Sequence, residues 1–378
     1  MPAPIECALA PVDDIAQIEP IWRTLQERSE CSYFLSWIWI GTWLRQLPPH
    51  IRPMLFVARE SGSVVGLAIM IANRLRRHRV IGSRALFVNT TGDEALDEIT
   101  IEYNGLLAEP HRREQVTVAA LNFLTANGWD EVFINATQVS DAFCLLHGDH
   151  WKIRRRIASN AYGVDLRELR RTGKKYLDTL GSSTRYEMRR ALRAYEKLGP
   201  LRVEAARTQE EADSWFAELR RLHQMYWTGK GFPGAFSNPF LDQFHQELVT
   251  KRMAHGEIQL LRISFGERHI AYLYGFVWND IVVIYQAGLD YAVLPEGNRP
   301  GAIAYYAAIE FNNNLGVHYY DFLAGHSQHK QNLSTTTVAL HWIVVRRICL
   351  KFWIEDALRT IRNRFIALRA SASALAKN

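Results

Sequence analysis

Cysteine is scarce: four residues in 378, widely spaced and with no CxxC pair, so the sequence offers neither a disulfide framework nor a zinc ribbon. That usage fits a reducing cytoplasm. Apolar runs are short, none reaching the roughly 18 residues of a membrane span. The opening MPAPIECALAPVDD lacks a basic start followed by an apolar stretch, so no secretory signal is expected. Net charge is modest at +6 and unevenly placed. From Arg346 onward eight basic residues face two acidic ones, which accounts for the whole excess, and a second basic zone runs from Lys152 to Lys197. This excludes a uniformly basic nucleic-acid coat, and no specific nucleic-acid partner is expected. The chain does have 48% apolar residues, enough to fill two cores, and a globular 22% of charged ones.

Periodicity gives the same order twice. VDDIAQIEPIWRTLQERS and FLSWIWIGTWLRQL read as helices, followed by the strands MLFVAR, SVVGLAIMIA and RALFVNT. The helix HRREQVTVAALNFLTANG and the strand DEVFINA close the first half. In the second half QEEADSWFAELRRLHQMYW and NPFLDQFHQELVTKRM read as helices. A three-strand meander follows (IQLLRI, HIAYLYGFVWN, IVVIYQAGLD), then the helix GAIAYYAAIEFNNNLG and the strand VHYYDFLA. The expected fold is α+β, two tandem domains, each a mixed and mostly antiparallel sheet flanked by helices. Their expected bounds are 1–160 and 161–345, with a basic amphipathic helix over 346–378.

Two features point to chemistry. In EGNRPGAIAYY, Arg299 precedes a proline and is expected to be extended, and Pro300 suits the first helical position. Gly301 and Ala302 then offer backbone N–H groups to an anion such as a pyrophosphate, with Arg299 adding charge. The plain alternative is a capped helix that holds nothing. Further on, DFLAGHSQHK sets an acid, a glycine turn, two histidines and a lysine close together. Alternation puts Asp321 opposite Tyr320 and Phe322, and it is a candidate proton acceptor. Lys330 can contact phosphate or an oxyanion, while His329 and His326 are alternative bases. No carboxylate or cysteine spacing accompanies these histidines, so no metal is expected. Between the halves, Arg185, Arg189, Arg193 and Lys197 make a basic stripe on one helical face. It is either a solvated flank or an attractor of anionic ligands.

The ordered motifs CSYFLSWIWIGTWLRQL, STRYEMRRALRAYEKLGPL, HQMYWTGKGFPGAF, NRPGAIAYYAAIE and DFLAGHSQHK resemble those of tandem-GNAT acyltransferases. That family is associated with cellulose and exopolysaccharide biosynthesis (the BioF2-like acetyltransferases) and is related to FemAB-type aminoacyl transferases. The resemblance spans roughly residues 28–335 and implies acyltransferase activity, with acetyl-CoA or another acyl-CoA as co-substrate. The implied acceptor is a sugar or small amine in a polysaccharide or envelope pathway. With the residue readings above, the candidate catalytic groups are Asp321, Lys330 and His329, and the candidate cofactor contacts are Gln286, Asn298, Arg299, Gly301 and Ala302, with core packing the plain alternative for Gln286. Candidate substrate contacts are His223, Tyr226, Trp227 and Arg189, with a packing or surface role the plain alternative for His223. The chain departs from the family at His329, where a tyrosine usually precedes the lysine. Two other readings are an aminoacyl-tRNA-dependent transferase and a non-catalytic scaffold of a polysaccharide-producing complex. The basic C-terminal stretch suggests either peripheral contact with an inner membrane or a helix docked on its own domain.

Overall fold

The computed structural model describes residues 4–77, 81–138, 148–293, 299–325 and 327–360. Its strands are β1 (Ile5–Pro11), β2 (Pro53–Glu60), β3 (Ser63–Arg77), β4 (Ile81–Val88), β5 (Leu107–Ala108), β6 (Glu131–Thr137) and β7 (Trp151–Asp165). There follow β8 (Leu201–Ala205), β9 (Ile258–Phe265), β10 (Arg268–Trp278), β11 (Ile281–Leu289), β12 (Tyr319–Ala324) and β13 (Thr336–Arg347). All belong to one sheet in the order β1-β2-β3-β4-β6-β13-β7-β12-β11-β10-β9-β8, with β5 on β3. Two pairs are parallel, β4 with β6 and β11 with β12; the other named pairs are antiparallel. The fold is thus mixed α/β, a large mixed sheet flanked by helices, and each half shows the expected meander, helix and parallel strand.

The centre of the sheet departs from two closed halves. β13, from the end of the chain, pairs with β6 of the first half, while β7 pairs with both β13 and β12. Each half therefore lends a strand to the other. The expected divisions at 160 and 345 fall inside β7 and β13. Sequence reading missed β1, β7, β8 and β13. β7 reads as a run of cations because Lys152 and Arg154 alternate with core residues, yet both reach Asp356 on the helical segment that follows β13. The C-terminal helix also begins later than expected, at 350, since Arg346 and Arg347 end β13. Residues 361–378 lie outside the described residues.

Local chemistry explains the helix starts. Ser36 caps the helix Trp37–Gln46, and Thr208 with Glu211 forms a capping box ahead of the helix Gln209–Gly229. Trp37–Gln46 is apolar nearly all round and is buried between the halves. Its Trp39 meets Phe244 edge-on at 4.7 Å and Phe276 at 5.7 Å, so one core cluster draws on both halves. Gly288 lets Gln209–Gly229 lie close on β11; a Cβ there would sit 2.5 Å from the Leu219 carbonyl oxygen.

Candidate functional site

β11 and β12 pair only through residues 281–283 and 319–321 and part beyond them. At that point β12 changes register between Asp321 and Ala324, and Leu323 adopts a left-handed φ of 63°. Such a backbone costs about 1–3 kcal/mol in a residue with a Cβ and persists only where its surroundings hold it. Here three side chains hold it. The Asp321 carboxylate accepts the Leu323 N–H at 2.7 Å, and the Glu102 carboxylate accepts the Ala324 N–H at 2.7 Å. The Lys330 ammonium donates to the Ala324 carbonyl at 2.9 Å.

The parted strands open into a cleft of about 1150 Å³. Tyr285, Gln286 and Ala287 of β11 and Phe322, Leu323 and Ala324 of β12 form its floor. One wall is the start of the helix Pro300–Asn314 with Gly301, Ala302 and Tyr305; another is the end of Gln209–Gly229 with His223, Tyr226 and Trp227. His329 and Lys330, on the short helix Gln328–Leu333, close the inner end together with Glu102 from the first half. Pro300 occupies the first turn as expected, but Arg299 is left-handed (φ 44°) rather than extended, and its guanidinium pairs with Glu187. The Ala302 N–H turns back to the Arg299 carbonyl at 3.0 Å, so of the two amides expected to meet a phosphate, one is already engaged.

Burial sets the electrostatics of the inner end. Glu102 is 5% exposed, and loss of water pushes its carboxyl up to about 7; Asp321 adds to the rise, while the Ala324 N–H and Lys330 oppose it. Burial likewise lowers the Lys330 ammonium, against the pull of Glu102 and Asp321. His329 is lowered by burial, then by Arg299 and Lys330, and its ring sits 5.5 Å from that of Tyr305. A carboxyl that titrates near neutrality beside a cation suits proton abstraction.

Asp321 stands elsewhere. Because it alternates with Tyr320 and Phe322, it faces away from their core into a second cavity of about 430 Å³, where it accepts a hydrogen bond from the Tyr103 phenol. Burial raises it to about 6, and that bond counters the rise. Of the carboxylates lining the cleft, Glu98, Glu102 and Glu187, the buried one is Glu102, which sequence reading did not select. Its signal was a lone charged residue inside the run TIEYNGLL.

Of the other expected residues, Gln286, Arg299, Gly301, Ala302, His223, Tyr226, Trp227, His329 and Lys330 come together around the cleft. His223 is 7% exposed and pins a loop: the Ala235 N–H donates to its Nε2 at 3.4 Å, while its ring bonds the Ala287 backbone. Tyr226 stacks on Tyr291 at 4.7 Å, and Trp227 and Phe232 stand exposed at the mouth. Arg189 does not join them. Its guanidinium pairs with Asp178 on the outer side, and the helix Ser182–Glu196 presents Thr184, Glu187, Met188 and Ala191 to the cleft instead. Asn298 and His326 lie outside the described residues. Among the described residues no group of three or more His, Cys, Asp or Glu is placed to hold a metal ion.

Residues 182–331, the segment that builds most of the cleft, match the family described as acetyltransferase (GNAT) domain. The fold extends over more of the chain. The crystal structure of FemX superimposes with a TM-score of 0.52 at 11% identity, covering 91% of this chain and 97% of FemX. A conserved protein of unknown function from Bacteroides thetaiotaomicron gives 0.50 at 11%, covering 92% and 100%. A tandem GNAT protein from the clavulanic acid biosynthesis pathway gives 0.45 at 13%, covering 90% and 98%. None of the curated proteins matches the chain.

Proposed function

We propose that the chain transfers an acyl group from acyl-CoA directly to an amine or hydroxyl. The supporting observation is the cleft itself. It runs from a glycine-led helix start to the parted ends of two parallel strands, where Glu102 and Lys330 stand together. Gly301 and the flanking Arg299 suit the pyrophosphate end of the co-substrate, and the gap between β11 and β12 suits its extended arm and thioester. Glu102, ionised above about 7, takes the acceptor's proton as the acceptor nitrogen or oxygen bonds to the thioester carbonyl carbon. The carbon–sulfur bond then breaks, and the departing thiolate recovers a proton from the acid formed at Glu102. Lys330 balances the charge that develops at this inner end.

The acceptor is a sugar or a small amine of a polysaccharide or envelope pathway. The aromatic mouth of Tyr226, Trp227, Phe232 and Tyr291 supports a ring-shaped acceptor, and the motif resemblance supports the pathway. Calorimetric titration of acetyl-CoA tests the reading, with wild type binding and Gly301→Glu failing through clash and charge. Gly301→Ala controls for folding, since its Cβ meets only the flexible Leu289 side chain, at 3.0 Å. Equal binding by wild type and Gly301→Glu would refute the site. Salt-dependent tRNA binding without CoA binding would make aminoacyl-tRNA the donor.

A further inference from the structure

The helical segment 350–360 has two faces of opposite character. Its inner face is clamped to the sheet. Phe352 is buried under the Arg346 guanidinium at 4.8 Å, Glu355 is held by Arg346 at 3.1 Å and by Arg359, and Asp356 is held by Arg154. Lys351 pairs with Asp130 at 2.6 Å. These contacts fix which side turns outward. On that side Leu350 is 76% exposed, Trp353 66%, Ile354 48% and Leu358 39%, with Ile348 at 43% just ahead. The positions 350, 353/354 and 357/358 repeat at helical spacing, so they form one stripe rather than scattered contacts.

Charge identifies what covers the stripe. Both acids of the segment are used on the inner face, where Arg359 also pairs with Glu355, so the outer face carries apolar side chains and no acid, with the exposed Arg347 just ahead of it. Beyond 360 the sequence adds Arg362, Arg364, Arg369 and Lys377 and no acid. Two copies meeting through this face would press like charges together. An anionic bilayer surface supplies both missing partners, acyl chains for Leu350, Trp353, Ile354 and Leu358 and phosphate headgroups for the cations. A tryptophan in the stripe suits the headgroup boundary.

We infer that the protein docks on anionic membranes through the outer face of this segment, lying in the interface plane. Among the described residues no helix is long and apolar enough to cross a membrane, so the contact is peripheral. The inference does not depend on the acyl-transfer reading. Co-sedimentation of the full chain with phosphatidylcholine vesicles, with and without phosphatidylglycerol, tests it. Wild type should pellet with the anionic vesicles only, and less so at high salt. Leu350→Ser and Trp353→Ser should each weaken partitioning about tenfold, with unchanged melting temperature because both side chains are exposed. The inference fails if wild type ignores anionic vesicles or if the two variants pellet as well as wild type. It also fails if wild type forms a dimer in solution that Trp353→Ser dissolves, which would make a second copy the occupant.

Discussion

Tyr103 donates a hydrogen bond of 2.6 Å to the Asp321 carboxylate, tying a loop of the first half to the bulged strand of the second. The residue before it, Glu102, reaches the Ala324 N–H of that same bulge. Adjacent side chains of one loop thus grip both sides of β12, one facing the cleft and one facing the second cavity.

Tyr103→Phe keeps the ring and removes the bond. Asp321 then climbs above its present value of about 6, because the phenol was holding it down. Stability should fall by about 1–3 kcal/mol, the usual cost of leaving a buried acceptor short of a partner. Urea unfolding measures this, and coincident midpoints would show that the bond contributes nothing.

The pH dependence of turnover follows from Glu102. A base with a pKa of about 7 acts only when ionised, so kcat/KM should rise with pH through that value and level off above it. Glu102→Gln should lower kcat by about 10²–10⁴. Stability moves the other way. The folded pKa lies above the unfolded one, so the proton-linked stabilisation is complete below the unfolded value and is lost as pH rises through about 7. Glu102→Gln should therefore melt higher than wild type in alkaline buffer and about the same in acid. A lower melting temperature in alkaline buffer would contradict the burial account.

Lys330 lowers the Glu102 carboxyl through its charge. Lys330→Met should shift the acid limb of the pH profile to higher pH, whereas Lys330→Arg should restore it. A limb that stays in place in Lys330→Met would mean that the ammonium only braces the Ala324 carbonyl.

Arg346 is 6% exposed on its side chain and bridges the buried Glu131 at 2.9 Å and Glu355 at 3.1 Å. Arg346→Met deprives both carboxylates of that cation at once. Removing one partner of such a group costs about 3–5 kcal/mol, so the melting temperature should drop sharply. A drop no larger than that of an exposed substitution such as Arg193→Met would show that other contacts carry the network.

Short-range patterning made the second half readable. The meander, the parallel return of β12 and the proline start at 300 follow from signals within a few residues, and nine of the twelve expected site residues do line the cleft. What escaped depends on distance along the chain. Glu102 joins the cleft from the first half, and nothing around it predicts that the second half's bulge will meet it. Asp321 lies on a strand that borders the cleft, but its alternation with Phe322 turns it to the second cavity, while the left-handed turn at Leu323 brings Leu323 and Ala324 to the cleft beside Phe322. The Arg189 stripe was visible as charge, but Asp178, the neighbour that engages it, precedes the helix and carries no periodic signal.

The exchange of β7 and β13 bears on how such a chain can be taken apart. Cut after β7, past the helix Leu166–Thr172, each fragment would carry an orphan strand and want the one its sibling holds. Separately produced fragments should stay insoluble alone yet assemble when mixed.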